Sequence, residues 1–189
     1  MRKLVVSMFQ SLDGFINAAG GEFIGPEWSN DLDAWTARMP LAFDTLLYGR
    51  TSWEKMAEFW PGTDTNDEMP EPTRQLGRFM NKSRKIVFSR TLQDTSAWEN
   101  SELAAAPLEE VIRQEKQKDG KDMVIFSGAI TAQSALRSGL VDEIWLLTLP
   151  ELFGYGTRLF DGHGLRATLQ LQEVCQMDTG AVLTRYAVS

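Results

Sequence analysis

The sequence predicts an α/β fold, with a mixed and mostly parallel twisted sheet that is flanked by helices and closed by a C-terminal antiparallel hairpin. Three observations support it. Short, bounded apolar runs alternate with segments of helical period. One alternation forms a complete strand, helix, strand unit, and the last two extended runs flank a glycine-containing turn. With 189 residues, 43% of them hydrophobic, we expect residues 1–189 to form one domain.

Five brief apolar runs are the predicted strands. Each is bounded by polar or glycine-containing sequence, which suits strands buried on both faces better than half-exposed ones. Strands buried in this way are typical of a parallel sheet, because helices cover both of its faces. The runs are residues 4–9, 45–48, 85–88, 123–126 and 144–149.

Two helices are predicted between the later strands. The first is expected to begin at Pro107, to carry an i, i+3, i+4 apolar stripe from Leu108, and to close at Gly120. The second covers residues 129–138, and Gly139 is expected to cap it before the chain resumes as a strand. These helices give the sheet its crossover connections.

The C-terminal segment and one internal segment differ from this alternation. Residues 168–176 and 181–188 are extended runs around the turn at 178–180, which predicts a hairpin. Residues 61–72 are acidic, proline-rich and nearly free of apolar side chains, which predicts a long mobile loop. Such a loop is a candidate lid or binding loop, and an inert surface excursion is an equal alternative.

The composition argues against several classes of function. The formal charge of −7 repels phosphate backbones and anionic lipids, so we expect neither a nucleic-acid nor a membrane partner. No run reaches the roughly 18 apolar residues of a membrane span, and the N-terminal apolar run is too short for a signal peptide. We therefore expect a cytoplasmic protein.

The counts of cysteine and histidine limit the chemistry further. Cys175 is the only cysteine and His163 the only histidine, so an intramolecular disulfide is impossible and a zinc site is not expected. A histidine-based triad would need His163 as its base. Its place in a glycine-flanked loop favours an ordinary exposed histidine instead.

Two predicted strands run directly into glycine at the start of a helix. The run at 45–48 leads into Gly49 and Arg50, and the run at 123–126 leads into Ser127 and Gly128. Glycine lets the backbone approach a ligand, and the free amides at a helix N-terminus favour phosphate or pyrophosphate. A purely steric role for each glycine is an equal alternative. Neither motif matches the dinucleotide fingerprint Gly-x-Gly-x-x-Gly or the P-loop.

A third strand end adds a hydroxyl and a guanidinium. Ser89 and Arg90 follow the strand at 85–88, and ligands of open α/β sheets collect beyond the carboxyl ends of the strands. Arg90 with Arg50 could form an anion site against the negative charge of the whole chain. The alternative is an ordinary surface arginine paired with carboxylates.

Several acidic and aromatic residues are candidates for the substrate side. Asp13 follows the first strand and could hydrogen-bond a polar ring or relay a proton, although Asp-Gly is also a common turn dipeptide. Asp31 and Asp33 compete for that role, although carboxylates in a first helical turn usually complement the helix dipole. Trp28 and Trp53 could stack on a planar ligand or belong to the core.

Five motifs taken in order resemble a known family. They are residues 11–16, 47–54, 85–92, 126–129 and 139–143. The ordered set, rather than any single motif, is similar to RibD C-terminal-domain-like reductases, which share the dihydrofolate reductase fold. The resemblance covers nearly the whole chain, from about residue 3 to residue 188.

The resemblance implies an NADPH-dependent reductase whose cofactor lies across the strand ends. It places Asp13 near the substrate, with the segment that contains Phe15 beside the nicotinamide. Trp28, Asp33 and Trp53 complete the expected substrate pocket. The residues expected to bind the cofactor are Gly49, Arg50, Thr51, Ser89, Arg90, Ser127, Gly128, Ala129 and Ile130.

The resemblance also sets expectations for substrate and assembly. The expected substrate is a small heterocycle such as a pyrimidine or pterin, and the expected assembly is a homodimer that uses residues 145–153. Two departures stand out: Ser127-Gly128 replaces the two glycines usual in the family, and Phe15 replaces the lysine frequent in riboflavin-pathway reductases. The alternative is a catalytically silent dinucleotide-binding or dimeric scaffold protein with the same fold.

Overall fold

A computed structural model describes residues 1–160, 162 and 164–189. His163 lies outside these residues, so its predicted exposure stays a prediction. Strands and helices alternate through most of the chain. The strands are β1 (Leu4–Ser11), β2 (Phe15–Asn17), β3 (Phe43–Gly49), β4 (Arg84–Phe88), β5 (Ser101–Leu103), β6 (Asp122–Ile125), β7 (Glu143–Leu149), β8 (Thr157–Arg158), β9 (Leu169–Gln176) and β10 (Val182–Val188). The helices are α1 (Asn30–Thr36), α2 (Met39–Ala42), α3 (Arg50–Phe59), α4 (Glu71–Lys82), α5 (Leu108–Lys116) and α6 (Ala129–Arg137).

Eight strands form the main sheet in the order β5-β4-β3-β6-β1-β7-β10-β9. The first six are parallel, whereas β10 is antiparallel to both β7 and β9. The predicted mostly parallel sheet with a C-terminal antiparallel hairpin is therefore confirmed. Strands β2 and β8 form a separate two-stranded sheet, which the sequence did not predict because each strand is very short.

Two apolar cores lie on the two faces of the main sheet. One packs α1 and α4 on the sheet through side chains such as Leu32 and Phe79. The other packs α5 and α6 through Ile112, Ala132 and Leu136. This layering buries the central strands on both faces, which explains their continuous apolar runs.

The second predicted helix is confirmed, and the first differs at both ends. Pro107 is the residue before α5 rather than its first helical residue, and α5 ends at Lys116. Gly120 does not cap the helix. It has φ +140° and lies where an added Cβ would come within 2.8 Å of Asp44 Oδ2, so steric fit beside a carboxylate explains this glycine.

The predicted long loop at 61–72 is confirmed as far as Pro70, and its predicted mobility stays a prediction. Glu71 already belongs to α4, and the preceding turns are anchored to that helix. The buried Thr63 packs against Gly77, and Asn81 Nδ2 donates to Asp64 Oδ1 at 2.6 Å. Polar side chains that bond across the turns replace the missing apolar ones, which composition alone does not reveal.

The predicted dimer segment at 145–153 is mostly core. Trp145, Leu147 and Leu149 are buried in the core on one face of the sheet, and β7 itself is an interior strand between β1 and β10. These side chains are therefore unavailable to a partner. In the described part of the chain, no helix has the length and apolar character needed to cross a membrane.

Candidate functional site

Three adjacent parallel strands end beside one another at the same edge of the sheet. Strand β3 lies between β4 and β6, with Gly49 paired to Phe88 and Leu46 paired to Val124. The segments that follow these strands are those with the predicted anion-binding residues, from Gly49, Ser89 and Ser127 onward. Because the strands are parallel, their carboxyl ends form one continuous rim.

The N-termini of α3 and α6 lie against each other at this rim. A Cβ added to Gly49, just before α3, would lie 2.6 Å from Thr131 Oγ1 in α6. A Cβ added to Gly128, just before α6, would lie 2.6 Å from Ser52 Oγ in α3. Each glycine thus makes room for a hydroxyl of the opposite helix. Ser52 and Thr131 were not predicted as site residues, although both stand in the first turn after a predicted glycine.

Neither helix N-terminus is closed by its own side chains. No side-chain cap bonds the first amides of α3 or α6, and neither first turn carries a carboxylate. The amide groups and the positive ends of the two helix dipoles are therefore directed to the same edge, which favours an anion that spans both. Thr51 and Ile130 are exposed there, whereas Ala129 is buried against the sheet.

Positive charge accompanies these helix ends. Arg50 opens α3 and is half exposed, with only a 3.5 Å contact to Glu54 on the same helix. Arg90 is exposed after β4. Ser89 Oγ accepts hydrogen bonds from the amides of Thr91 at 3.1 Å and Leu92 at 2.9 Å. This turn fixes the Ser89 hydroxyl oxygen and leaves its hydrogen able to donate to a phosphate.

Asp13 lies beyond the end of β1, which neighbours β6. Its carboxylate accepts hydrogen bonds from Ser11 Oγ at 2.5 Å and from the amides of Phe153 at 3.1 Å and Gly154 at 2.8 Å. The hydrogen bond from Ser11 has the largest effect and lowers the pKa of Asp13. Burial opposes it, and the hydrogen bonds from the two amides lower the pKa further. The predicted catalytic role of Asp13 stays a prediction, and its carboxylate already has these bonding partners.

A separate cavity of about 540 Å³ adjoins the N-terminal half of α1. Trp28 and Asp33 both line it, so the structure brings together two of the predicted pocket residues. Asp33 Oδ1 is buried and has no hydrogen-bond partner among the described residues. The neighbouring carboxylate of Asp31 is occupied instead, since it accepts the amide of Asp178 at 2.8 Å.

The other two predicted pocket residues are placed differently. Trp53 is only 3% exposed and donates its indole N–H to Ser101 Oγ at 3.0 Å, which favours a place in the core, while its predicted place in the pocket stays a prediction. The ring of Phe15 is buried beneath the guanidinium of Arg158, 4.2 Å from the ring centroid. No sequence pattern singled out Arg158, because the residue lies in a short, irregular strand.

The topology and the rim of strand ends define an α/β protein of the dihydrofolate reductase-like class. A sequence model of the RibD C-terminal domain matches residues 2–183. The chain therefore belongs to the RibD C-terminal domain family, as the ordered motifs predicted.

Individual relatives agree with this assignment. The uncharacterized protein YyaP of Bacillus subtilis (strain 168) is 29% identical over 189 residues, which cover 98% of this chain and 94% of YyaP. A putative riboflavin biosynthesis protein from Shewanella sp. PV-4 has a TM-score of 0.72 at 20% identity, covering 99% of both chains. Dihydrofolate reductase from Enterococcus faecalis, solved with NADP(H), has a TM-score of 0.62 at 16% identity, covering 99% of this chain and 96% of that one.

Proposed function

We propose that the protein is an NADPH-dependent reductase that transfers hydride to a C=N or similarly polarised bond in a small heterocycle, such as a pyrimidine or a pterin. One observation carries the proposal: the N-termini of α3 and α6 are uncapped and lie so close together that only glycine fits at positions 49 and 128. A pyrophosphate has the charge and the span to accept amide hydrogen bonds from both helices. The solved E. faecalis enzyme with NADP(H) supports the choice of cofactor.

The residues at the rim fit the two phosphate groups of NADPH separately. The amides that follow Gly49 and Ser127 would hold the pyrophosphate, together with Arg50 and the Thr51 hydroxyl. Ser89 and Arg90, at the next strand end, would hold the 2′-phosphate through charge-assisted hydrogen bonds. Ala129 and Ile130 would border the nicotinamide side. NADPH, when bound, supplies the hydride, and the chain supplies orientation.

The cavity beside α1 fits the heterocyclic substrate. In the part of the chain that the structure describes, Asp33 Oδ1 is a buried acceptor without a partner, and burying such an oxygen is costly unless a ligand or water satisfies it. A ring N–H of a pyrimidine or pterin would satisfy it. The Trp28 ring supplies a planar wall on the same cavity. Asp33 would thus orient the substrate, and water at its carboxylate would be able to supply a proton.

Replacing Asp33 by asparagine tests this assignment. We expect turnover to fall by about 10²-fold or more. The amide keeps the shape of the carboxylate but carries no negative charge and cannot pass a proton to or from the bound water. The affinity for NADPH should stay nearly unchanged, because α1 is not part of the proposed phosphate site. Turnover is measured as NADPH oxidation with a panel of pterins, pyrimidines and flavin precursors.

Asp31→Asn is the matched control, because Asp31 belongs to the same helical turn but already accepts the amide of Asp178. We expect it to leave turnover nearly unchanged. Equal losses in both variants would contradict the role of Asp33. NADPH binding without NADPH oxidation in the presence of any compound of the panel would favour a catalytically silent dinucleotide-binding protein.

The proposed assembly is a homodimer in which β9 meets β9 of a second copy. Strand β9 is an edge strand whose Leu169, Leu171 and Val174 are exposed. It contains no lysine or proline to prevent edge pairing. Its one carboxylate, Glu173, is already paired with Arg38 and Arg185, so this strand brings no unpaired carboxylate to a contact between two copies.

Leu171→Lys tests the proposed dimer. The substitution places like charges opposite each other across the two-fold axis and removes exposed apolar area, so we expect the mass measured by light scattering to fall from dimer to monomer. Leu41→Lys is the control, since Leu41 is also exposed but lies outside β9. A monomeric parent protein at micromolar concentration would contradict the proposal.

A further inference from the structure

The carboxylate of Asp13 connects two segments that are far apart in sequence. Besides Ser11 Oγ, it accepts the amides of Phe153 at 3.1 Å and Gly154 at 2.8 Å. The Ser11 hydroxyl in turn accepts the amide of Phe15 at 3.0 Å. Both carboxylate oxygens are thus committed to groups that hold the turn after β1 against the segment after β7.

Arg158 also contacts the turn that contains Asp13. Its Nη1 donates to the Asp13 carbonyl at 2.8 Å, and its guanidinium covers the Phe15 ring. Phe15 and Arg158 also pair as neighbours in the β2–β8 sheet. The turn at Asp13 is therefore bonded through its side chain to residues 153–154 and through its carbonyl to Arg158.

The connection continues into α6. Gln133 Nε2 donates to the Arg158 carbonyl at 2.9 Å, and Gln133 lies one turn beyond the start of the helix whose first amides face the rim. Strand β1 also pairs with β6, the strand that leads into α6, through Val6 and Ile125. The turn after β1 is thus fixed relative to the N-terminus of α6.

We propose that Asp13 is a positioning residue whose carboxylate, together with Arg158, holds the segment at residues 13–17 as a preformed wall beside the N-terminus of α6. The inference rests on the proposed function, in which Ala129 and Ile130 at the start of α6 border the nicotinamide side of NADPH, next to this wall. Asp13 acts through the backbone of the two segments and does not exchange a proton with the substrate.

The ionisation of Asp13 agrees with this role. The hydrogen bonds donated by Ser11, Gly154 and Phe153 lower the pKa of its carboxyl, because all three stabilise the charged form. A lowered pKa keeps the carboxylate ionised and accepting at neutral pH, whereas a proton donor needs a pKa near the working pH. Arg158 is a cation that faces this turn, where its Nη1 donates to the Asp13 carbonyl.

The test compares NADPH with 2′,5′-ADP, the part of the cofactor that lacks the nicotinamide. In Asp13→Asn, one acceptor oxygen becomes an NH2 group that faces a backbone amide, so the wall loses its fixed position. We expect the Kd for NADPH to rise about tenfold, because the segment must then be ordered on binding. The Kd for 2′,5′-ADP should stay unchanged, since this fragment does not reach the wall.

Asp142→Asn is the matched control for a general loss of stability. The Asp142 carboxylate also bridges segments, because it accepts the amide of Leu4 at 2.7 Å and pairs with Lys116. It lies just before β7, however, at the amino-terminal ends of the parallel strands and far from the rim. We expect it to lower the melting temperature without changing the ratio of the two Kd values. A ratio changed equally in both variants would overturn the proposal.

Amide hydrogen exchange in the ligand-free protein provides a readout that does not depend on the cofactor. The amides of Phe153 and Gly154 should exchange at least about tenfold faster in Asp13→Asn and Asp13→Ala than in the parent or in Asp142→Asn, because they lose a carboxylate acceptor. Unchanged exchange, or an unchanged Kd for NADPH in Asp13→Asn, would overturn the positioning role. Absence of NADPH binding to the parent protein would contradict the proposed function. The exchange data would then test only whether the Asp13 carboxylate holds the segment at residues 153–154.

Discussion

Gly128→Ala is expected to weaken NADPH binding by about a hundredfold or more, which corresponds to about 2.8 kcal/mol. Gly128 has φ +97°, where an L side chain is strained by roughly 1–2 kcal/mol. Its new Cβ would also lie 2.6 Å from Ser52 Oγ. The N-termini of α3 and α6 must therefore separate, and the amides that should share one pyrophosphate no longer converge. Isothermal titration with NADPH measures the loss.

Two variants separate the site effect from backbone strain. Gly139→Ala introduces a side chain at φ +70° at the other end of α6, with nothing within 4 Å of the added Cβ, and should reduce stability without changing the Kd for NADPH. Adding Ser52→Ala to Gly128→Ala removes the closest contact and should restore part of the affinity. Binding by Gly128→Ala that matches the parent would contradict the shared pyrophosphate site.

Arg90→Ala is expected to weaken NADPH by about tenfold to a hundredfold and to leave NADH nearly unchanged. Charge-assisted hydrogen bonds contribute roughly 1.5–3 kcal/mol each before competing costs, and each 1.4 kcal/mol is a factor of about ten. NADH lacks the 2′-phosphate that Arg90 and Ser89 are proposed to bind. The measured quantity is the ratio of the two dissociation constants in the parent and in the variant.

Arg113→Ala is the control for a change in overall charge, because Arg113 is an exposed arginine in the last turn of α5 with a 3.7 Å contact to Glu109. It should leave the ratio unchanged. In the parent protein the preference for NADPH should shrink with added salt, since a partly exposed ion pair is screened. Equal losses of NADPH and NADH affinity in Arg90→Ala would instead assign Arg90 to the fold or to the pyrophosphate.

The strand pattern was predictable because buried parallel strands are continuous apolar runs. All five runs became strands of the main sheet, and the hairpin at 178–180 followed from its turn residues. The convergence of Gly49, Ser89 and Ser127 on one rim was predictable for the same reason, since the ends of parallel strands meet. A local sequence pattern was sufficient to predict strands, turns and strand ends, because each of these depends on neighbouring residues.

Features that depend on distant partners were not predictable from local patterns. The partners of Asp13 are backbone amides at residues 153–154, and amides leave no trace in side-chain composition. The indole of Trp53 is buried because Ser101, on the edge strand β5, accepts its hydrogen bond. The turns at 61–70 are hydrogen-bonded to Asn81, which lies in α4. In each case a polar contact over a long sequence separation decided the outcome.

Titration of the unmodified protein with NADPH and with NADH tests the central claim most directly. The convergence of two helix N-termini with Arg50, Ser89 and Arg90 at one rim predicts saturable binding of one NADPH per chain, with NADH bound more weakly and the difference reduced by salt. Binding of neither dinucleotide, or equal binding of both at low salt, would contradict the assignment of this rim as an NADPH site.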